Sequence, residues 1–220
     1  MYAHAAQGKI TRVFVLLDSN LRYKKEICSV DYSIPPPKEE GKKVEVYYPH
    51  RRKGILYKNK FYIGNTAKGF YFDVFDIYGK HIFKIDREYN KAKFTSQMKS
   101  EVRDYYKRAA SQNDYPNYFS RVELFFPDYI PAFLNYFIDN DKIYVFHYPV
   151  PGSDGWQNLS VLRLNGELIS QKRIFMDSLS GILELENYVS FNGGKIYYTA
   201  ALEEFTKVLE FDVERFLKSE

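Results

Sequence analysis

Four histidines, one cysteine and a scatter of carboxylates are the residues through which this chain would do chemistry. No two of His4, His50, His81 and His147 share the spacing of a metal-binding motif. Cys28 is the single cysteine, which excludes an intrachain disulfide and a zinc site built on cysteines. Its setting, Ile27-Cys28-Ser29-Val30, reads as strand, where a lone cysteine serves as a small buried hydrophobe. There is no Gly-x-Ser-x-Gly elbow and no phosphate-cradling glycine loop; Ser178-Leu179-Ser180-Gly181 reads as a turn. Asp139-Asn140-Asp141 offers oxygens to calcium, but a dedicated site wants six or more ligands, and Lys142 follows directly. A hairpin turn accounts for the same three residues. Neither a metal nor a cofactor is expected, and no residue is assigned a catalytic role.

One loop is better placed to bind than to react. Tyr148-Pro149-Val150-Pro151-Gly152-Ser153-Asp154-Gly155-Trp156 holds the only tryptophan. Tyr148, Asp154 and Trp156 are the candidate binding residues, because an exposed indole flanked by tyrosine and aspartate can stack on a sugar or a peptide. The preferred reading instead packs Trp156 across the neighbouring blade, in keeping with the usual burial of large aromatics.

The elements that must position this loop follow from composition and pattern. Tyr (21) and Phe (18) are far more numerous than a helical bundle needs, and they suit pleated, half-buried surfaces. Basic and acidic residues, 32 against 28, are spread along the chain, so the net charge of +4 makes no nucleic-acid partner expected. The densest basic run, His50-Arg51-Arg52-Lys53 beside Lys42-Lys43, reads as a solvated loop. No stretch approaches eighteen apolar residues, so no membrane-spanning helix is expected. The start lacks the basic and apolar regions of a signal peptide.

A four-strand pattern recurs. Residues 132–175 carry it most clearly: strands 132–138 and 142–148, the Pro/Gly-rich loop, then strands 159–164 and 168–175. Asn165-Gly166 is the expected tight turn, with positive φ at both positions. Residues 54–85 repeat the order, with turns at Lys58-Asn59 and through Tyr78-Gly79. Residues 186–213 repeat it with three strands, turning first at Asn192-Gly193-Gly194. Residues 12–28 read as half a unit turning at Asp18-Ser19-Asn20. Lys60-Phe61-Tyr62-Ile63, Lys142-Ile143-Tyr144-Val145 and Lys195-Ile196-Tyr197-Tyr198 align. Two hairpins joined by a loop make one propeller blade, whose repeat runs about 40–50 residues. Tyr144 to Tyr197 fits that length, and Tyr62 to Tyr144 fits it only with an insertion. Residues 86–125 are the insertion. Within it Met98, Val102, Tyr105 and Ala109 predict an amphipathic helix over 95–112, capped by Thr95 or Ser96. Its opposite face carries Lys99, Glu101, Arg103 and Lys107. An extra strand is expected at Val44-Glu45-Val46-Tyr47-Tyr48.

The chain resembles the bacterial six-bladed β-propellers of the NHL-like kind, a family of largely uncharacterised proteins. The likeness rests on Val74-Phe75-Asp76-Ile77-Tyr78-Gly79-Lys80, on the basic helical excursion after it, and on Phe126-Pro127-Asp128-Tyr129-Ile130-Pro131-Ala132-Phe133. It covers roughly residues 10–215 and transfers no catalytic position. It implies an all-β, propeller-like domain of four-stranded antiparallel blades with one inserted helix, and an exported or periplasmic protein.

The strands are too few for a six-bladed ring, so missing blades or self-association are expected to cover the exposed edges. The functional reading is a non-catalytic binding or scaffolding propeller with a protein or carbohydrate ligand. Its alternatives are a hydrolase or lyase whose site converges on a central channel, or a glycan-binding module.

Overall fold

Strand-length apolar runs broken by turns of Asp, Asn and Gly produce an all-β fold of mostly antiparallel sheets, propeller-like in its four-stranded units. In a computed structural model, the described residues are 2–6, 9–33, 35–46, 52–112, 118–148, 156–175, 189–201 and 206–218. They divide into two compact units: residues 51–74, 83–89 and 131–220, and residues 1–50, 75–82 and 90–130.

The first of these units is built from blade-like sheets. β5 (Arg52–Tyr57), β6 (Lys60–Asn65), β7 (Phe70–Asp76) and β8 (His81–Arg87) form one sheet in chain order. β10 (Asn135–Asp139), β11 (Lys142–Phe146), β12 (Trp156–Arg163) and β13 (Leu168–Phe175) form the next. β14 (Val189–Asn192), β15 (Lys195–Ala201) and β16 (Thr206–Asp212) make a three-stranded third. β16 runs directly into α3 (Val213–Lys218), a helix that the sequence pattern did not suggest.

The core lies between the two four-stranded sheets. Phe72 and Phe133 stack at 5.1 Å, and Phe70 and Tyr136 meet this pair edge-on. Tyr62, Val74, Ile85, Ile143, Val145 and Leu162 close around them. Tyr136 is fully buried, and its hydroxyl supplies one proton to two acceptors, the carbonyls of Lys53 and Tyr62, while accepting from the Gly64 amide. Gly64 has to be glycine, because a Cβ there would lie 2.7 Å from Tyr136 Cε1. Lys53, expected in a solvated loop, is a strand residue. Its Nζ bonds Asn135 Oδ1 and Tyr136 O and sits 4.2 Å above the Phe137 ring.

Two classes of turn alternate. Lys58-Asn59, Asn140-Asp141 and Gly193-Gly194 have positive φ at both central positions and make the two-residue hairpins that strand twist favours. The β7–β8 and β12–β13 turns are longer. In each an amide closes on a carbonyl three residues back, Gly79 to Asp76 and Gly166 to Arg163, before pairing resumes. Asn165-Gly166 therefore corrects the expectation of a two-residue turn: only Gly166 takes positive φ. The Asn165 side chain caps the amide of Glu167 instead.

In the other unit, β1 (Tyr2–Ala6), β2 (Lys9–Leu17) and β3 (Tyr23–Ser33) form a three-stranded meander, one strand more than the expected hairpin. The β2–β3 turn belongs to the longer class, with Leu21 closing on Asp18. β4 (Lys43–Val46) pairs in parallel with β9 (Val122–Phe125), so the expected extra strand is local to the insertion. α1 (Ser96–Gln112) is the predicted helix. Thr95 Oγ1 caps the Met98 amide, and Met98 and Val102 are buried. Arg103, expected on a solvated face, lays its guanidinium over the Phe126 ring at 5.0 Å. α2 (Tyr118–Arg121) leads into β9. Cys28 lies partly exposed on β3, where a buried position was expected. Among the described residues, no helix is long and apolar enough to cross a membrane.

Candidate binding site at the end of the second four-stranded sheet

The predicted loop is bracketed by β11 and β12. Of its three candidate residues, Asp154 lies outside the described residues. Tyr148 follows β11 and is buried. Trp156 is the first residue of β12, with 41% of its surface exposed. The described structure therefore brings Tyr148 and Trp156 to the same end of one sheet, one inside and one on the surface.

Register determines what joins Trp156. It pairs with Phe175, and Asn158 pairs with Arg173, so the β13 residues beside the indole are an aromatic and a cation. The Trp156 and Phe175 rings are 5.4 Å apart and tilted by 57°. The Arg173 guanidinium lies 5.3 Å from the Trp156 ring, within the range of a cation–π contact. Phe175 is itself exposed. Neither Arg173 nor Phe175 was singled out from the sequence. Strand arithmetic back from the Asn165-Gly166 turn would have found both, had β12 been extended to Trp156. Side by side, the rings offer a stacking surface and the guanidinium offers hydrogen-bond donors to an acceptor-rich ligand.

The same sheet carries a histidine–serine pair. His147 Nδ1 is 3.0 Å from Ala132 O, and Nε2 is 2.7 Å from Ser160 Oγ. A carbonyl only accepts, so Nδ1 carries the proton and the Ser160 hydroxyl donates to Nε2. Burial lowers the His147 pKa from its ordinary value, and the Ala132 carbonyl offsets that in part. Ser160 is only 4% exposed, and the Phe70 ring lies 5.9 Å from the imidazole. The pair resembles a catalytic dyad in its atoms, but its serine is buried, while the histidine, beside Phe70, is half-buried.

Other titratable groups tie sheets together. Asp141 takes Lys58 at 2.6 Å and a hydrogen bond from Tyr57 Oη. Asp139 accepts from the Gly194 amide at 2.8 Å. Asp139 and Asp141, two of the three residues weighed as calcium ligands, thus link the turns of successive sheets. Glu214 of α3 accepts from Lys142 Nζ and Tyr144 Oη, at 2.7 Å and 2.6 Å, and these bonds hold its carboxyl below the usual range. Lys172 Nζ reaches the Phe216 and Leu217 carbonyls at the far end of the helix. Among the described residues, no three His, Cys, Asp or Glu groups converge as metal ligands. His50 and the 178–181 turn lie outside the described residues.

No family model, no curated protein and no solved structure matches this chain.

Proposed function

We propose that this chain is a non-catalytic binding or scaffolding module of the β-propeller kind, related to the six-bladed NHL-like proteins that its repeats resemble. The observation that carries this reading is the exposed Trp156–Phe175 pair with Arg173 beside it. The carboxylates and lysines described above are committed to links between elements, whereas these three side chains face outward at a sheet end. Aromatic stacking plus a guanidinium suits an oligosaccharide or peptide rich in carboxylates or hydroxyls.

Because Trp156 is the only tryptophan, selectively excited tryptophan fluorescence reports on this site alone. Iodide is expected to quench it in the free protein. A panel of acidic and neutral oligosaccharides and peptides should yield at least one ligand that protects it, and Arg173→Ala should weaken that ligand. An indole that iodide cannot reach, or a panel without a protective ligand, would sink the proposal.

The His147–Ser160 pair supports a second reading, a hydrolase with Ser160 as nucleophile and His147 as its base. A fluorophosphonate probe that labels the wild type but not Ser160→Ala would favour it over binding alone. The enclosure of Ser160 predicts no labelling.

A further inference from the structure

The β2–β3 turn shares the hydrogen bonds of its two counterparts but differs in the residue on which it closes. Where the β7–β8 and β12–β13 turns close on Gly79 (φ 78°) and Gly166 (φ 92°), this one closes on Leu21 at φ 60°. In that conformation an L-residue's Cβ crowds the following carbonyl, which is why glycine is the usual occupant. Leu21 recovers little of this cost inside the molecule, because it is 79% exposed.

Its neighbours share the pattern. Tyr23 is 63% exposed and Leu17 is also on the surface. Arg22, Lys24 and Lys25 alternate with them and are exposed. The only acidic group inside the turn, Asp18, already accepts the amides of Asn20 and Arg22. Lys25 Nζ reaches the Tyr78 carbonyl at 3.2 Å, which sets the Tyr78-Gly79 turn, whose tyrosine is exposed, beside the same hairpin.

We propose that this hairpin tip is a docking surface for anionic lipid headgroups, separate from the Trp156 site. Apolar side chains that project singly from a convex turn suit shallow insertion into a bilayer interface better than a flat protein–protein contact. Tyrosine is at home at the headgroup level, and lysine and arginine can lay their stems along the apolar layer while their charges meet lipid phosphates. The charge complementarity is what commits the tip to an anionic surface.

The test is co-sedimentation with phosphatidylcholine vesicles, with and without phosphatidylglycerol, at low and high salt. The full chain should bind the anionic vesicles only, and each of Arg22→Glu and Lys24→Glu should weaken binding by about fivefold or more. Leu21→Gly should weaken it by at least about tenfold, the loss of one leucine side chain from an apolar layer. The same variant should leave the thermal midpoint unchanged or raise it, since glycine suits the backbone. Binding indifferent to Leu21→Gly, or equal on neutral vesicles, would overturn the proposal. So would a fall in thermal midpoint, which would assign Leu21 to the protein's own packing. Leu21-dependent retention on an acidic protein without vesicle binding would assign the tip to a protein partner instead.

Discussion

Tyr136→Phe isolates the contribution of one hydroxyl to the joint between the two four-stranded sheets. The ring volume is kept, so the Phe72 and Phe133 contacts stay and no cavity opens. What is lost is the single group that meets Lys53 O, Tyr62 O and the Gly64 amide in a site without water access. Burial pushes the Tyr136 pKa strongly upward, so the hydroxyl stays neutral and the substitution removes no charge. Leaving buried partners of this kind unsatisfied costs about 1–3 kcal/mol. Urea unfolding should show a lower midpoint at constant slope, since the exposed area on unfolding is unchanged. Tyr136→Ala should cost more, about 3–5 kcal/mol, because it adds the empty volume of the ring. Gly64→Ala forces a methyl to within 2.7 Å of Tyr136 Cε1, so it should be severe alone and partly relieved by Tyr136→Ala. That coupling follows from a shared contact. A Tyr136→Phe protein within about 0.5 kcal/mol of wild type, the range of an ordinary surface change, would refute the reasoning.

Two glycine substitutions separate backbone strain from crowding. Gly193→Ala meets nothing within 4 Å and should cost about 1–2 kcal/mol for its positive φ alone. Gly166→Ala places a Cβ 2.5 Å from Ile85 Cγ2 and should cost about 1–3 kcal/mol beyond that, measured by the same urea midpoints. His147 should make stability depend on pH in a defined direction. Burial lowers its folded-state pKa, so as pH falls below about 6.5 the unfolded chain takes up a proton that the folded chain refuses. This contribution is fully present above the unfolded value and is lost as pH falls towards the folded one. Comparing wild type with His147→Gln at about pH 7.5 and about pH 5.5 should show the wild type losing more stability on acidification; equal losses would contradict the assignment.

How much of this was legible in the sequence depended on how local the cause was. The strands of residues 54–85 and 132–175 could be read because each is a short apolar run bounded by turn residues, and both signals act within a few residues. The helix over 95–112 was legible for the same reason: Met98 and Val102 are spaced by one turn, and the Thr95 hydroxyl caps the start. β1 was missed although its pairing with Lys9–Val13 is local, because the run Ala3-His4-Ala5-Ala6 has little β propensity. β4 was expected as a strand, but its partner, Val122–Phe125, lies far away in sequence and was not legible. α3 is held by partners far away in sequence, Lys142, Tyr144 and Lys172, so its seat could not appear in the sequence beside it.

The binding site shows the same division. Trp156 stood out because it is unique, but its companions Phe175 and Arg173 become neighbours only through the register of β12 and β13. Counting the Asn165-Gly166 turn as two residues and carrying the pairing straight back sets Trp156 against Phe175; the observed turn is longer, and the irregularity between Val161 and Leu162 restores that same pairing. Without that irregularity the longer turn would slip the strands by one residue and turn Phe175 and Arg173 away from the indole. The same logic explains why Leu21 was invisible in sequence. Its oddity exists only by comparison with Gly79 and Gly166, and that comparison requires knowing that three turns with different sequences close through the same hydrogen bonds.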